Sequence, residues 1–263
     1  MNSMILTSRY LFNEIPDGHK KVEEFGRKAC NLSLAKKWQF YVPDTVFLSG
    51  ELVREIYEQK SIPTEILSHF ENKLLAIRPS PVLGHFTKSE QFLHIGLDNQ
   101  SFDVLIKRLG VTNASAIYIS FLRVFALTIY NLDLENCDEL RRLLEISKSE
   151  KRVSRDSVFN KISRIKQLIS LETGSVFPRS TAEQLIAVIN SIYKSWISPT
   201  QKILREVSGR NSEESIPIIL QEMHSGITGS PVEYFKVKNF DDKTGRSSLK
   251  CYRLDNKSNH SSY

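Results

Sequence analysis

Residues Asn72 to Phe86 read NKLLAIRPSPVLGHF. Leu74 to Ile77 form an apolar run, Arg78 closes it, and Pro79, Pro81 and Gly84 follow. Four apolar residues bounded by turn formers predict a short buried strand. A single arginine where such a strand ends has two readings. Its planar fork of donors suits phosphate oxygens, or it pairs with a carboxylate as an ordinary strand-end cation.

Outward from this stretch the signals are mixed. DTVFLSG is a second short β-rich run ended by glycine, and QFLHIGL, Gln91 to Leu97, reads as a strand. VEEFGRKACNLSLAKKW and ELVREIYEQK carry helical spacing. Residues 111–175 hold three helical patterns with almost no Gly or Pro, for which Asn113, Asn136 and Ser154 are candidate N-caps. STAEQLIAVINSIYKSWISPTQKIL predicts one long amphipathic helix, with Ala182, Leu185, Ile189, Ile192 and Trp196 on a shared face. IPIILQEM reads as a buried strand and VEYFKVK as an alternating one. Strands and helices together predict an α+β class.

The 263 residues are 40% hydrophobic, enough for a substantial core, with a formal charge of +6 that attracts phosphates of any kind. Three cysteines, far apart, argue against a disulfide framework or a zinc site and predict a reducing, cytoplasmic setting. No membrane partner is expected, because no apolar run reaches about 18 residues. The basic clusters KSEKRVSR and RIK alternate with acids and lack interleaved aromatics, which reads as a solvated face and against nucleic acid.

Two further stretches could carry chemistry. In FGRKACNL, Phe25 to Leu32, Lys28 follows Gly26 at a loop-to-helix start, where backbone N–H groups hold phosphate; the alternative is a solvated lysine. In IPIILQEMHSG a buried strand ends in Gln221, Glu222 and Met223. Their backbone could serve an adenine ring with Met packed on its face, or form a plain strand end. The six histidines have no metal-ligand spacing.

In order along the chain these segments resemble the N-terminal, nucleotide-binding part of the pyruvate, phosphate dikinase family, which is related to phosphoenolpyruvate synthase. The family's Gly-Gly-Lys-Gly-(Ala/Cys)-Asn-Leu is GRKACNL here, its Val-Arg-Ser-Gly is AIRPSP, and its LNLGLND is LHIGLDN. Its Phe-Pro to Ser-Trp-x-x-Pro segment is FPRSTAEQLIAVINSIYKSWISP, and its Val-Gln-x-Met strand is LQEM. The match runs from about residue 20 to 250. The resemblance implies an ATP-grasp-like fold. Its first lobe would comprise 1–110 and 176–215, a helical insertion 111–175, and the start of a second lobe 216–263. It implies ATP with Mg²⁺ as cofactor, Lys28 and Arg78 as the phosphate-facing catalytic cations, and Gln221, Glu222 and Met223 as the adenine side. The family reaction converts ATP, phosphate and pyruvate to AMP, diphosphate and phosphoenolpyruvate.

The chain departs from the pattern. Arg27 and Ala29 replace glycines, Pro79 and Pro81 stiffen the path after Arg78, Thr200 replaces an arginine, and Arg205 has Glu206 for its expected arginine neighbour. The family's Phe-Thr-Arg-Asn-Pro-Ser-Thr-Gly turn is a ragged FKVKNFDDKTG here, and its Mg²⁺-binding residues lie well past Thr244–Gly245. The expectation is a truncated or degenerate relative with partial nucleotide binding, without full kinase-type turnover unless another chain completes the fold. The alternative is an interaction module that kept the fold and lost the site.

Overall fold

A computed structural model describes residues 9–15, 19–82, 91–145 and 154–223, and the backbone of 232–240 and 247–254. The chain divides into two compact units, Met1–Met223 and His224–Tyr263.

The first unit is built on a five-stranded sheet: β1 (Tyr10–Phe12), β2 (Thr45–Leu48), β3 (Leu75–Pro79), β4 (Phe92–Ile95) and β5 (Ile218–Glu222), in the spatial order β1-β2-β5-β3-β4 with every pair antiparallel. β5 is last in sequence and central in space. Its register sets Ile219 beside Phe47 and Arg78, and Gln221 beside Thr45 and Ala76. The expected boundary at 216 is therefore moved: the IPIILQEM strand belongs to the first sheet, and the second unit starts after Met223.

Side chains alternate across the sheet. Val46, Leu48, Leu75, Ile77, Ile218 and Leu220 point into the main core. The other face carries Phe47 and Ile219, which with Ile15, Phe25 and Ala29 form a smaller cluster under helix α1 (His19–Lys37). Two more helices follow before β3: α2 (Gly50–Gln59), capped by the Ser49 hydroxyl on Leu52 N at 3.2 Å, and α3 (Thr64–His69).

The helical residues pack into the main core with the sheet rather than beside it. Helix α4 (Asn99–Val124) runs across the expected 110/111 boundary, bending at Gly110 (φ 78°, ψ 161°), and continues as a π turn, Phe125–Ile129. A 3₁₀ turn (Leu134–Asn136), α5 (Asp138–Leu144) and α6 (Arg155–Thr173) follow. Ser154 caps α6 as expected, on Ser157 N at 3.2 Å. Asn113 and Asn136 are not caps. Asn113 sits inside α4 and donates to Leu109 O, and Cys137 precedes α5. The predicted long helix is two: α7 (Thr181–Trp196), opened by a Ser180–Glu183 capping box, and α8 (Pro199–Val207), which starts on proline.

Asn99–Ile129 has the length and apolarity of a membrane span, which the sequence reading missed. It buries Phe102, Tyr118, Phe121 and Phe125, and the rings meet one another and Phe177 at centroid distances from 4.8 to 6.3 Å. This arrangement is compatible with the core helix of a soluble protein.

In the second unit, β6 (Val232–Phe240) and β7 (Ser247–Leu254) pair antiparallel as a two-stranded ribbon.

Candidate functional site

Gly26 determines the geometry here. It lies inside α1 at φ 79°, ψ 165°, so the helix is interrupted and a new one starts at residue 27. The amides of that first turn lack intrahelical acceptors and carry the positive end of the helix dipole. The kink is wedged against the end of β3. A Cβ on Gly26 would overlap the Ser80 carbonyl oxygen and lie 2.6 Å from the Ser80 hydroxyl. That hydroxyl accepts from Ala29 N at 3.1 Å, so a serine 51 residues away caps the restarted helix. Ser80 is fully buried, and its own N–H donates to Pro217 O at 2.9 Å.

Lys28 stands in this first turn. Arg78 leaves β3 on the sheet face that α1 covers, in the row of Ile219 and Phe47. The two cations, 50 positions apart in sequence, are thereby brought together. Burial, and then the Arg78 guanidinium, lowers the Lys28 ammonium below the ordinary lysine range; burial also lowers Arg78. The Arg78 Nε is fully buried with no hydrogen-bond partner among the described residues. Two like charges half-removed from water raise each other's free energy, and an anion between them relieves that cost.

The other expected site residues are placed differently. Gln221 shares the sheet face with Arg78 but stands two residues further along, roughly 7 Å, where its Nε2 donates to Thr45 Oγ1 at 3.1 Å. Glu222 alternates to the opposite face and pairs with Lys73 Nζ at 3.0 Å; Lys73 also holds Asp44 at 2.8 Å. Met223 accepts His94 N on its sulfur at 3.0 Å. The amides of Glu222 and Met223 donate to Asp44 O and Leu74 O, so both prolong the sheet. An adenine there would have to rely on other groups.

Arg205 binds inward. It is 1% exposed, donates to the carbonyls of Trp196 at 2.8 Å and Ser212 at 2.6 Å, and stacks 4.2 Å from the Trp196 ring. Among the described residues no group of three His, Cys, Asp or Glu side chains could hold a metal ion.

Sequence reasoning placed Lys28 at a helix start after Gly26 and missed the Ser80 cap on that start. The usable signal for Ser80 was a lone serine between two prolines. No protein-family model matches the chain, and no curated protein matches it in sequence.

Proposed function

We propose that the chain binds the phosphates of a nucleotide, with ATP as the expected one, at the helix restarted after Gly26. Lys28 and Arg78 provide the charge and the first-turn amides provide directed donors. The observation that carries this reading is the convergence of Lys28 and Arg78 beside a helix N-terminus, with the Arg78 Nε buried and unpartnered among the described residues. The family resemblance supports the same assignment and an ATP-grasp type of first lobe, in which a second chain would complete the nucleotide cleft. Mg²⁺ would arrive with the nucleotide, and no step is assigned to it.

Calorimetric titration with ATP, with and without Mg²⁺, tests the reading. Micromolar binding, about −8 kcal/mol, that is lost in Lys28→Met and Arg78→Met is the expected outcome. Unchanged affinity in the double variant refutes it. A second reading, a non-catalytic interaction module, is favoured by α8, which buries Arg205 and exposes Ile203, Leu204 and Val207. A flat ATP titration on folded protein would move the assignment to that reading.

A further inference from the structure

A second basic feature lies in the helical part of the first unit. A groove of about 860 Å³ opens between the start of α4, α6 and the connection that carries Val176 to Arg179. Its wall is apolar where Ile162 and Phe177 are buried. Two cations reach it, Lys166 from α6 and Arg179 from the connection. Lys166 is held in place: its Nζ donates to the Tyr118 hydroxyl at 2.8 Å and lies 5.1 Å and 5.5 Å from the Tyr118 and Phe177 ring centroids.

The neighbouring ion pairs go elsewhere. Arg155 binds Asp103 and Arg164 binds Glu139, and no ion pair among the described residues takes Lys166 or Arg179, although the Glu183 carboxylate accepts the Arg179 amide and feels the Arg179 charge. Asp98 is the one carboxylate that lines the groove, and it is committed to the α4 cap, accepting from Ser101 N at 2.7 Å and Ser101 Oγ at 2.8 Å. Burial lowers the Lys166 ammonium, Asp98 raises it and Arg179 lowers it, so the three charges act on one another. Two cations and one carboxylate line the groove, and Glu183, which accepts the Arg179 amide at 2.7 Å and feels the Arg179 charge, brings the local formal charge to zero.

We propose that this groove binds a small organic carboxylate with an apolar body, its carboxylate between Lys166 and Arg179 and its body against Phe177 and Ile162. A carboxylate between the two cations is attracted by both, a second negative charge is opposed by Asp98 and Glu183, and a cation meets two like charges. The aromatic wall rewards a planar or branched body by burying it. This site does not depend on the nucleotide reading.

The test is calorimetric titration of the full chain with benzoate, phenyl phosphate and benzylamine. Saturable benzoate binding is expected, tighter than phenyl phosphate, with no binding of benzylamine. Arg179→Gln changes an exposed side chain and should weaken benzoate about tenfold. Lys166→Met should do the same while thermal unfolding confirms that it remains folded. Lys28→Met should leave benzoate binding unchanged, which separates this result from that of the ATP titration. Absence of saturable benzoate binding to folded parent protein, preference for phenyl phosphate or benzylamine, or unchanged affinity in Arg179→Gln would each overturn the proposal.

Discussion

Gly26 and Gly110 are a matched pair. Both interrupt a helix with nearly the same backbone conformation, φ 79°, ψ 165° and φ 78°, ψ 161°. Side-chain-bearing residues avoid that region at a cost of about 1–3 kcal/mol. Their surroundings differ. A Cβ on Gly110 meets nothing within 4 Å, whereas one on Gly26 overlaps the Ser80 carbonyl oxygen and sits 2.5 Å from its carbon. The obstacle is backbone at the end of a central strand, so relief requires moving β3 or α1, about another 1–3 kcal/mol. Gly110→Ala should therefore cost the conformational part alone, and Gly26→Ala about 2–6 kcal/mol in all. With a urea slope of about 2 kcal/mol per M, the midpoint should fall by about 0.5–1.5 M for Gly110→Ala and about 1–3 M for Gly26→Ala. Urea unfolding followed by far-UV circular dichroism measures both. Equal shifts in the two variants would show that the α1–Ser80 contact does not constrain the helix, and the geometry assigned to Lys28 would fall with it.

Three other expectations concern named contacts. Arg205→Lys cannot reach both carbonyls or stack on Trp196, so it should cost about 2–4 kcal/mol; a urea midpoint equal to the parent's would contradict that. Asp44 is held below the usual carboxylate range, first by the Lys73 hydrogen bond. Its contribution is fully present above the unfolded pKa of about 3.9 and is lost as pH falls through the lower folded value. Lys73→Met should flatten the dependence of the urea midpoint on pH below about 4, and an unaltered acid limb would exclude the pair as its source. The Lys28 ammonium titrates below its ordinary range, so ATP affinity should decline as pH rises through that lowered value. The decline should vanish in Lys28→Met, and its persistence there would assign the titration to another group.

The central strands were legible because they are buried on both faces. TVFL is wholly buried, and IILQ carries no solvent-facing alternation to confuse it. Their order in space was not legible. β5 joins β2 and β3 across more than a hundred residues, and nothing local in IPIILQEM marks it as a central strand of the first sheet. The α7–α8 break was readable and was missed, since Pro199 after Ser198 is a helix start signal. Arg205 inverts the usual amphipathic rule. α8 exposes Ile203 and Val207 because a buried guanidinium ties the helix to Trp196 and Ser212, a tertiary demand that periodicity does not encode. In the site, the residue types and the helix start after Gly26 were visible, but the wedge of Gly26 against Ser80 that fixes Lys28 near Arg78 is a tertiary contact that local pattern does not encode.

The departures from the family pattern can be placed one by one. Arg27 is exposed, and its side chain leaves the kink for solvent. The Ala29 Cβ packs with Phe25, Phe47 and Ile219, so it strengthens the small cluster. Ser80 N faces Pro217, the residue before β5, so by strand alternation the Pro79 nitrogen faces the other side, beyond the last β3–β4 pair at Ile77–Phe92. The proline thus removes no ladder hydrogen bond among the described residues. The site differs from the resembled pattern in its supply of donors. Ser80 takes the Ala29 amide, so one of the first-turn N–H groups that a glycine-rich loop would offer to phosphate is already used. Two cations remain with fewer directed amides around them. Under the proposed function that combination would hold an anion by charge more than by geometry, so binding should weaken steeply with salt and discriminate little between one phosphate-bearing ligand and another.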